Sequence, residues 1–198
     1  MLGEKEAQQR ASVAEHEYQL GSEVQMATVQ SVDQILRVDH AGECGAIRIY
    51  RSQIAVARIL HPGCVHDLSR MLEHELRHFK TFDSLLKARG IRPCYALPLW
   101  MIGGWMLGSF TALLGTKAIW VCTAAIENTV NQHLDHQVAV LSTADPEALA
   151  AVESIRRDEE EHEDHAVKNG GEGRGLYRML RWVVKGATGL AIWLSTKL

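Results

Sequence analysis

Along most of the chain, apolar residues recur three and four positions apart, the period of a helix with one buried face. In the first such stretch the stripe holds Leu36, Ile47, Tyr50 and Ile54, and in the second Leu68, Met71, Leu72, Phe79, Phe82 and Leu86. In the third it holds Trp120, Ala124, Val130, Leu134 and Val138, and in the fourth Val152, Ile155 and Ala166. The fourth is weaker, because Arg156 and Glu163 lie on it. Local signals set the boundaries. Ser31-x-x-Gln34 resembles a capping box and opens a helix over 32–60, which Pro62-Gly63 breaks. A second helix over 64–89 stops at Gly90, with Pro93 beyond. A third follows Lys117 and reaches Leu141; Asp145-Pro146, an N-cap and a proline at the first helical position, opens a fourth that ends near Lys168. No alternating run reaches strand length, so the pattern predicts an all-α protein.

Two stretches depart from this pattern. Residues 93–116 carry no charge and are rich in Trp, Leu and Met, yet Pro98, Gly103, Gly104, Gly108 and Gly115 interrupt them. The helices on either side must return to one site, so a single membrane crossing here is awkward. The preferred reading is a broken crossover in the membrane interface, where Trp is favoured; a buried or a spanning segment are the alternatives. In the tail, 174–198, Arg174, Arg178, Arg181 and Lys185 lie among Leu176, Met179, Leu180, Trp182, Val183 and Val184. That amphipathic segment suits an anionic bilayer surface or serves as a fifth packing helix.

Composition narrows the picture. With 198 residues and 46% hydrophobic content, residues 31–198 make one domain with a sizeable core, preceded by a polar arm over 1–30. The arm has no apolar signal-peptide core, its acidic content argues against a transit peptide, and its His16 is read as solvated. A net charge of −3 gives no reason to expect a nucleic-acid partner. Cys44, Cys64, Cys94 and Cys122 are scattered and read as reduced, small apolar residues in a reducing compartment.

The chemistry lies in charged residues that interrupt the apolar stripes. Glu75-Leu76-Arg77-His78 and Glu159-Glu160-Glu161-His162 are both Glu-x-x-His. Glu43 precedes Glu75 by 32 residues, and Glu127 precedes Glu159 by the same 32. The whole set repeats at an offset of 84, as do Gln53-Ile54-Ala55-Val56 with Gln137-Val138-Ala139-Val140, and Met71 with Ile155. This reads as a duplicated helical hairpin, each copy supplying Glu, Glu and His. An unpaired carboxylate on an apolar face costs several kcal/mol or stays neutral, and Lys and Arg are scarce on these stripes. A shared pair of divalent cations answers all four carboxylates, and this donor set is that of di-iron and di-manganese helical bundles. The candidate ligands are Glu43, Glu75, His78, Glu127, Glu159 and His162. His74 to His78 also spells the zinc-peptidase motif His-Glu-x-x-His, but Asp158 occupies the position of His74 in the second copy, so His74 is not the repeating ligand. Asp158, and less strongly His74, suit a hydrogen bond to a ligand imidazole; His74 is otherwise a surface residue. His133 lies off the Glu127 stripe and reads equally as a hydrogen-bonded rim residue or a substrate contact. His165 reads as a supporting or solvent residue.

Arg37-Val38-Asp39-His40-Ala41-Gly42-Glu43, Pro98-Leu99-Trp100, Thr111-Ala112-Leu113-Leu114-Gly115 and the two Glu-x-x-His motifs together resemble the demethoxyubiquinone hydroxylase family, over roughly residues 32–198. The resemblance implies a ferritin-like four-helix bundle with two iron ions per chain, held by the six residues above. It implies hydroxylation of the ring of a polyprenyl demethoxy-benzoquinol with O₂, in ubiquinone biosynthesis. The enzyme would be peripheral, on the cytoplasmic face of a bacterial inner membrane or the matrix side of a mitochondrial one. Relatives in that family carry Tyr at the position of Cys44, and some carry His-Tyr at His133-Leu134. Ring hydroxylation needs a redox metal. The chain has no Gly-x-Gly-x-x-Gly fingerprint, so electrons come from the quinol or from an external reductant such as NADH. A second copy of the chain or a lipid-presenting protein are the candidate protein partners. A ferritin-type iron-oxidising or storage protein would use the same ligands, but its soluble exterior fits poorly with the uncharged run 93–116. A manganese catalase or rubrerythrin is the remaining alternative, and rubrerythrin's cysteine pairs are missing.

Overall fold

The computed structural model describes residues 31–198; the expected polar arm and His16 lie outside the described residues. Six α-helices and no strand are found among them: α1 Val32–Leu60, α2 Val65–Arg89, α3 Leu97–Leu113, α4 Thr116–Ala144, α5 Pro146–Ala166 and α6 Leu176–Lys197. The boundary chemistry is as the sequence predicts. Ser31 and Gln34 form a reciprocal capping box, with Gln34 N–H donating to Ser31 Oγ at 3.3 Å and Ser31 N–H to Gln34 Oε1 at 3.1 Å. Gly90 ends α2 in the left-handed conformation, φ 64°. Asp145 accepts the Glu147 and Ala148 N–H groups at the start of α5.

Two apolar clusters show how the helices run. Ile35 and Leu36 of α1 pack with Phe82 and Leu86 of α2, Leu134 and Leu141 of α4, and Ala148 and Val152 of α5. At the other end Ile54 and Ala57 meet Leu68, Met71, Ile119, Trp120 and Ala166. Each hairpin is therefore antiparallel, and α1 is antiparallel to α4. Every candidate ligand lies between these clusters in its own helix, so the carboxylates occupy a short polar layer clamped by two dry ends.

This arrangement requires α3 to carry the chain back along the bundle. A 17-residue helix covers about 25 Å at 1.5 Å per residue, enough for the return. Residues Leu97–Leu113 form one continuous helix through Pro98, Gly103, Gly104 and Gly108 rather than the broken crossover expected, while Gly115, at φ 110°, does mark the break before α4. Two of the glycines within it serve close packing. A Cβ at Gly104 would sit 2.6 Å from the Gly45 carbonyl oxygen, and one at Gly108 would collide with Ser52 Oγ and the Ile49 carbonyl. Among the described residues no helix is long and apolar enough to cross a membrane.

Helix α6 runs the length of the bundle beside α4 and α1. It is joined to α3 by a hydrogen bond from Trp100 Nε1–H to Ser195 Oγ, 3.0 Å. Val184, Ser195 and Thr196 are buried beneath it, while Leu176, Met179, Trp182, Val183 and Leu190 face outward and are more than half exposed. The tail is thus a packing helix that also keeps an apolar outer face. On α3, Ile102, Trp105, Met106 and Phe110 are exposed in the same way.

Candidate metal centre

All six predicted ligands are buried, with relative exposures from 2% for Glu75 to 8% for Glu43. They fall into two overlapping groups. Glu43, Glu75, His78 and Glu159 form one, and Glu75, Glu127, Glu159 and His162 the other; within each, one donor atom per residue lies within 4.8 Å of all the rest. Glu75 and Glu159 belong to both. Each group can hold one ion, and the shared carboxylates lie where a bridge between two ions would be. The spacing in the sequence implied six donors but not this sharing.

Both imidazoles turn Nδ1 inward and Nε2 outward. His78 Nδ1 lies 2.9 Å from Glu159 Oε1 and 3.7 Å from Glu43 Oε2; His162 Nδ1 lies 3.3 Å from both Glu75 Oε1 and Glu159 Oε2. Despite these distances, His78 Nδ1, His162 Nδ1, Glu43 Oε2, Glu75 Oε1 and Glu159 Oε1 make no hydrogen bond of proper geometry. Donors that converge without aligning on one another are arranged as ligands around common ions.

Electrostatics point the same way. Burial, then the charge of Glu159, pushes Glu43, Glu75 and Glu127 well above the ordinary carboxylate range. Burial acts likewise on Glu159, but His162 and His78 outweigh it and hold that carboxyl down at about 2. His162 rises to about 11 against its burial, because Glu159 and Glu75 face it. Two divalent cations at these groups would supply the positive charge that such buried carboxylates call for.

A surrounding layer orients the donors. Asp158 Oδ2 lies 3.1 Å from His78 Nε2, the hydrogen bond expected of it, and 3.5 Å from Arg77 Nη2. His74 is not a surface residue: it is only 16% exposed in its side chain, and its Nδ1 lies 3.3 Å from His162 Nε2 and 3.4 Å from Asp158 Oδ2. Arg156 and Glu163, which blurred the α5 stripe, face α4, where they meet Asp135 and the amides of Asn128 and Asn131. His165 lies between Trp120 and Asp67 and takes no place in either group. Tyr50 was read only as an apolar stripe residue, but its hydroxyl donates to Glu127 Oε1 at 2.7 Å. Its position two turns after Glu43 on the same face was the available signal.

A cavity of about 310 Å³ opens beside the carboxylates, between α1, α4, α3 and α6. Its walls are mostly apolar, including Val38, Ile49, Leu107, Ile126, Val130 and Ile192, and Glu43, Glu75, Glu127 and Glu159 are its polar floor. His133 lines it too. It is 4% exposed and makes no hydrogen bond among the described residues, so it is not a hydrogen-bonded rim residue.

The model of the family described as ubiquinone biosynthesis protein COQ7 matches residues 30–195. The chain belongs to the COQ7 family. Among curated relatives, it is 40% identical to the 3-demethoxyubiquinol 3-hydroxylase of Rhodospirillum rubrum over 168 residues, which cover 84% of this chain and 78% of that protein. It is 37% identical to the mitochondrial NADPH-dependent 3-demethoxyubiquinone 3-hydroxylase of Mus musculus over 171 residues, with the same shares covered. To the mitochondrial 5-demethoxyubiquinone hydroxylase of Saccharomyces cerevisiae it is 30% identical over 182 residues, 84% of this chain and 78% of the yeast protein. The resemblance read from the Arg37–Glu43 run and the paired motifs is thus that of the COQ7 family, over almost all of the described chain.

Proposed function

We propose that this chain is a 3-demethoxyubiquinol 3-hydroxylase, a di-iron monooxygenase that adds a hydroxyl group to the ring of a polyprenyl demethoxy-benzoquinol in ubiquinone biosynthesis. The observation that carries the reading is the pair of overlapping ligand groups opening on an apolar cavity. Glu43 and His78 would hold one iron and Glu127 and His162 the other, with Glu75 and Glu159 available to both. Four carboxylates match the charge of two divalent ions, and the oxygen-rich set suits iron better than zinc.

The reaction converts a ring C–H to C–OH with one atom of O₂; the other leaves as water, with two electrons and two protons from the reductant. Bound iron supplies the activation of O₂ and the exchange of electrons. The protein's part is placement. Asp158 and His74 fix the outward nitrogens of the two imidazoles and so direct Nδ1 of each to the centre. Tyr50 steadies Glu127. The apolar walls receive an aromatic ring and keep bulk water from the reacting carbon. Electrons come from outside the chain, from a nicotinamide coenzyme directly or through the quinol.

A polyprenyl tail stays in lipid, so the enzyme works at the bilayer surface that holds its substrate. The outer faces of α3 and α6 are suited to lie in that interface, with Trp105 and Trp182 exposed, Arg178 on α6 and Arg174 just before it. The membrane is the bacterial inner membrane on its cytoplasmic face, or the mitochondrial inner membrane on its matrix side. Flotation with anionic vesicles tests this: Trp105→Glu with Trp182→Glu should leave the protein in the unbound fraction, and unchanged flotation would remove the membrane assignment.

The deciding experiment gives iron-loaded protein a demethoxy-quinol, a reductant and ¹⁸O₂. The expected product is a ring hydroxyl carrying one ¹⁸O, read by mass spectrometry. Oxygen consumed with the quinol unchanged would favour iron oxidation instead.

A further inference from the structure

The ligand groups can also be approached across the bundle from the cavity, along the seam between α2 and α5. Polar pairs cross that seam rung by rung. Nearest the centre, His74 Nδ1 lies 3.3 Å from His162 Nε2 and 3.4 Å from Asp158 Oδ2. One turn outward, Arg70 Nη1 lies 3.3 Å from Glu161 Oε1. At the outer rung, Asp67 Oδ2 lies 3.4 Å from His165 Nε2, and Asp67 Oδ1 lies 3.5 Å from Nδ1 of the exposed His66. Residue numbers fall along α2 as they rise along α5, so the rungs form one ladder between antiparallel helices, from the metal centre to the end of the bundle. Asp67 precedes His74 by two turns, about 10 Å along α2.

The ladder is built of groups that bind cations, and it reaches water. His165 Nε2 is buried and makes no hydrogen bond of proper geometry despite its distance from Asp67, so the outer rung is two donors that face each other without pairing. The side chains of Asp67, Arg70 and Glu161 are between a third and about half exposed. The cavity offers a divalent ion the reverse. Its walls are mostly apolar, and an ion passing them would lose its water before gaining a ligand.

We propose that the α2–α5 seam is the path by which ferrous iron reaches the centre, with Asp67 and His165 as the site that first takes the ion from water and Glu161 as the next donor inward. This path rests on reading the two ligand groups as an iron centre and is independent of the reaction carried out there. One carboxylate and one imidazole are enough to draw a divalent ion and too few to keep it from the six donors inside, so the ion moves inward. Arg70 is its competitor for Glu161. A half-exposed ion pair is weak and opens readily, and Arg70 closes the rung again once the ion has passed. At the inner rung the ion meets the outward side of both ligand imidazoles, which His74 and Asp158 hold in place. Iron from water and an apolar molecule in the cavity thus approach the carboxylates from opposite sides of the bundle.

The test follows the iron itself. The full chain, loaded with ferrous iron, is given an excess of a ferrous chelator without oxygen, and the release rate is read from the colour of the chelate. The emptied protein is then reloaded with ferrous iron alone, and its uptake rate is measured by stopped flow. A residue that only passes the ion changes both rates by one factor and leaves their ratio, the affinity, unchanged. Asp67→Asn and His165→Leu should each slow both rates about tenfold, the scale on which local charge governs association. Glu161→Gln should slow them too, while Arg70→Ala should speed them; a purely structural ion pair would give both changes the same sign. Asp33→Asn, in the first turn of α1 at the other end of the bundle, controls for net charge and should leave both rates native. Where His165→Leu fails to fold because it disturbs Trp120, Asp67→Asn decides for the same rung. Native rates in Asp67→Asn and Glu161→Gln, equal slowing in Asp33→Asn, or a changed affinity at an unchanged uptake rate would overturn the path alone. A native chain that takes up no iron would overturn the iron centre, and the path with it.

Discussion

The two hairpins, α1–α2 and α4–α5, match closely where both must do the same thing and diverge where only one has a task. Glu43, Glu75 and His78 correspond to Glu127, Glu159 and His162 at a constant offset of 84, and the two ligand groups they build are nearly interchangeable. One position before each Glu-x-x-His the copies differ: His74 in the first, Asp158 in the second. Each reaches across the bundle to the other copy's imidazole, His74 to His162 and Asp158 to His78. The crossing is symmetric; the chemistry is not, since one imidazole meets a carboxylate and the other a second imidazole. Further along the helices, Ile49 corresponds to His133 and Tyr50 to Leu134. The backbone at Ile49 receives Gly108 of α3, while His133 faces the cavity. Shared ligation preserves the repeat, and asymmetric neighbours erode it: α3 lies chiefly against α1 of the first copy and only lightly against α4 of the second.

The comparison breaks most visibly at the shared carboxylates. Glu75→Ala takes a donor from both groups, whereas Glu43→Ala takes one from a single group. Iron analysis after loading should fall from about two ions per chain to near zero for Glu75→Ala and to about one for Glu43→Ala. Equal losses in the two variants would mean that Glu75 is not shared. Activity should disappear in both, since the chemistry needs the pair.

Acid should act on both halves alike and nearly as strongly. Glu43, Glu75 and Glu127 are raised by burial and by Glu159, and His162 is raised to about 11, so these groups hold protons that a cation must displace. Metal affinity should therefore rise with pH and weaken as pH falls, with protons released on loading. Chelator competition at pH 6 and pH 8 measures it, and affinity independent of pH would contradict the protonated centre.

A smaller effect separates the halves at the outer imidazole contacts. Asp158→Ala removes a carboxylate acceptor from His78 and should weaken iron binding by about 10- to 100-fold. His74→Ala removes a neutral partner from His162 and should cost less. If His74→Ala proves the more damaging, the asymmetry between the hairpins has been assigned the wrong way round.

What the sequence made legible follows the same division. The helices, their caps and all six candidate ligands could be read because each rests on a local period or on a spacing that occurs twice. Gly103, Gly104 and Gly108 were misread as breaks, while Gly115 is one, since a glycine that ends a helix and one that admits a neighbour's backbone look alike until the neighbour is known. Gly104 and Gly108 are of the second kind. The Asp39–Gln137 and Tyr50–Glu127 contacts join α1 to α4 across 98 and 77 residues, and no local pattern marks such pairs. His133 was half-read: its departure from the Glu127 stripe was visible, but α3 and α6, which turn that face into a cavity wall, were not.

The mildest test concerns Tyr50, one of the residues that tie the first copy to the second. Its counterpart, Leu134, packs into the apolar cluster at one end and is 4% exposed, so the second copy offers no matching bond. Tyr50→Phe keeps the ring, which is buried with Ile54 and Met71, and removes only the hydroxyl that donates to Glu127. With iron bound, Glu127 is held by the ion as well, so the loss should be about 1 kcal/mol, the net worth of one buried hydrogen bond. Thermal unfolding of the loaded protein should fall by a few degrees, and iron should leave the group containing Glu127 before the group containing Glu43. Spectroscopy that resolves two iron environments reads that order. Simultaneous loss from both would mean that Tyr50 steadies the bundle as a whole and not the Glu127 half.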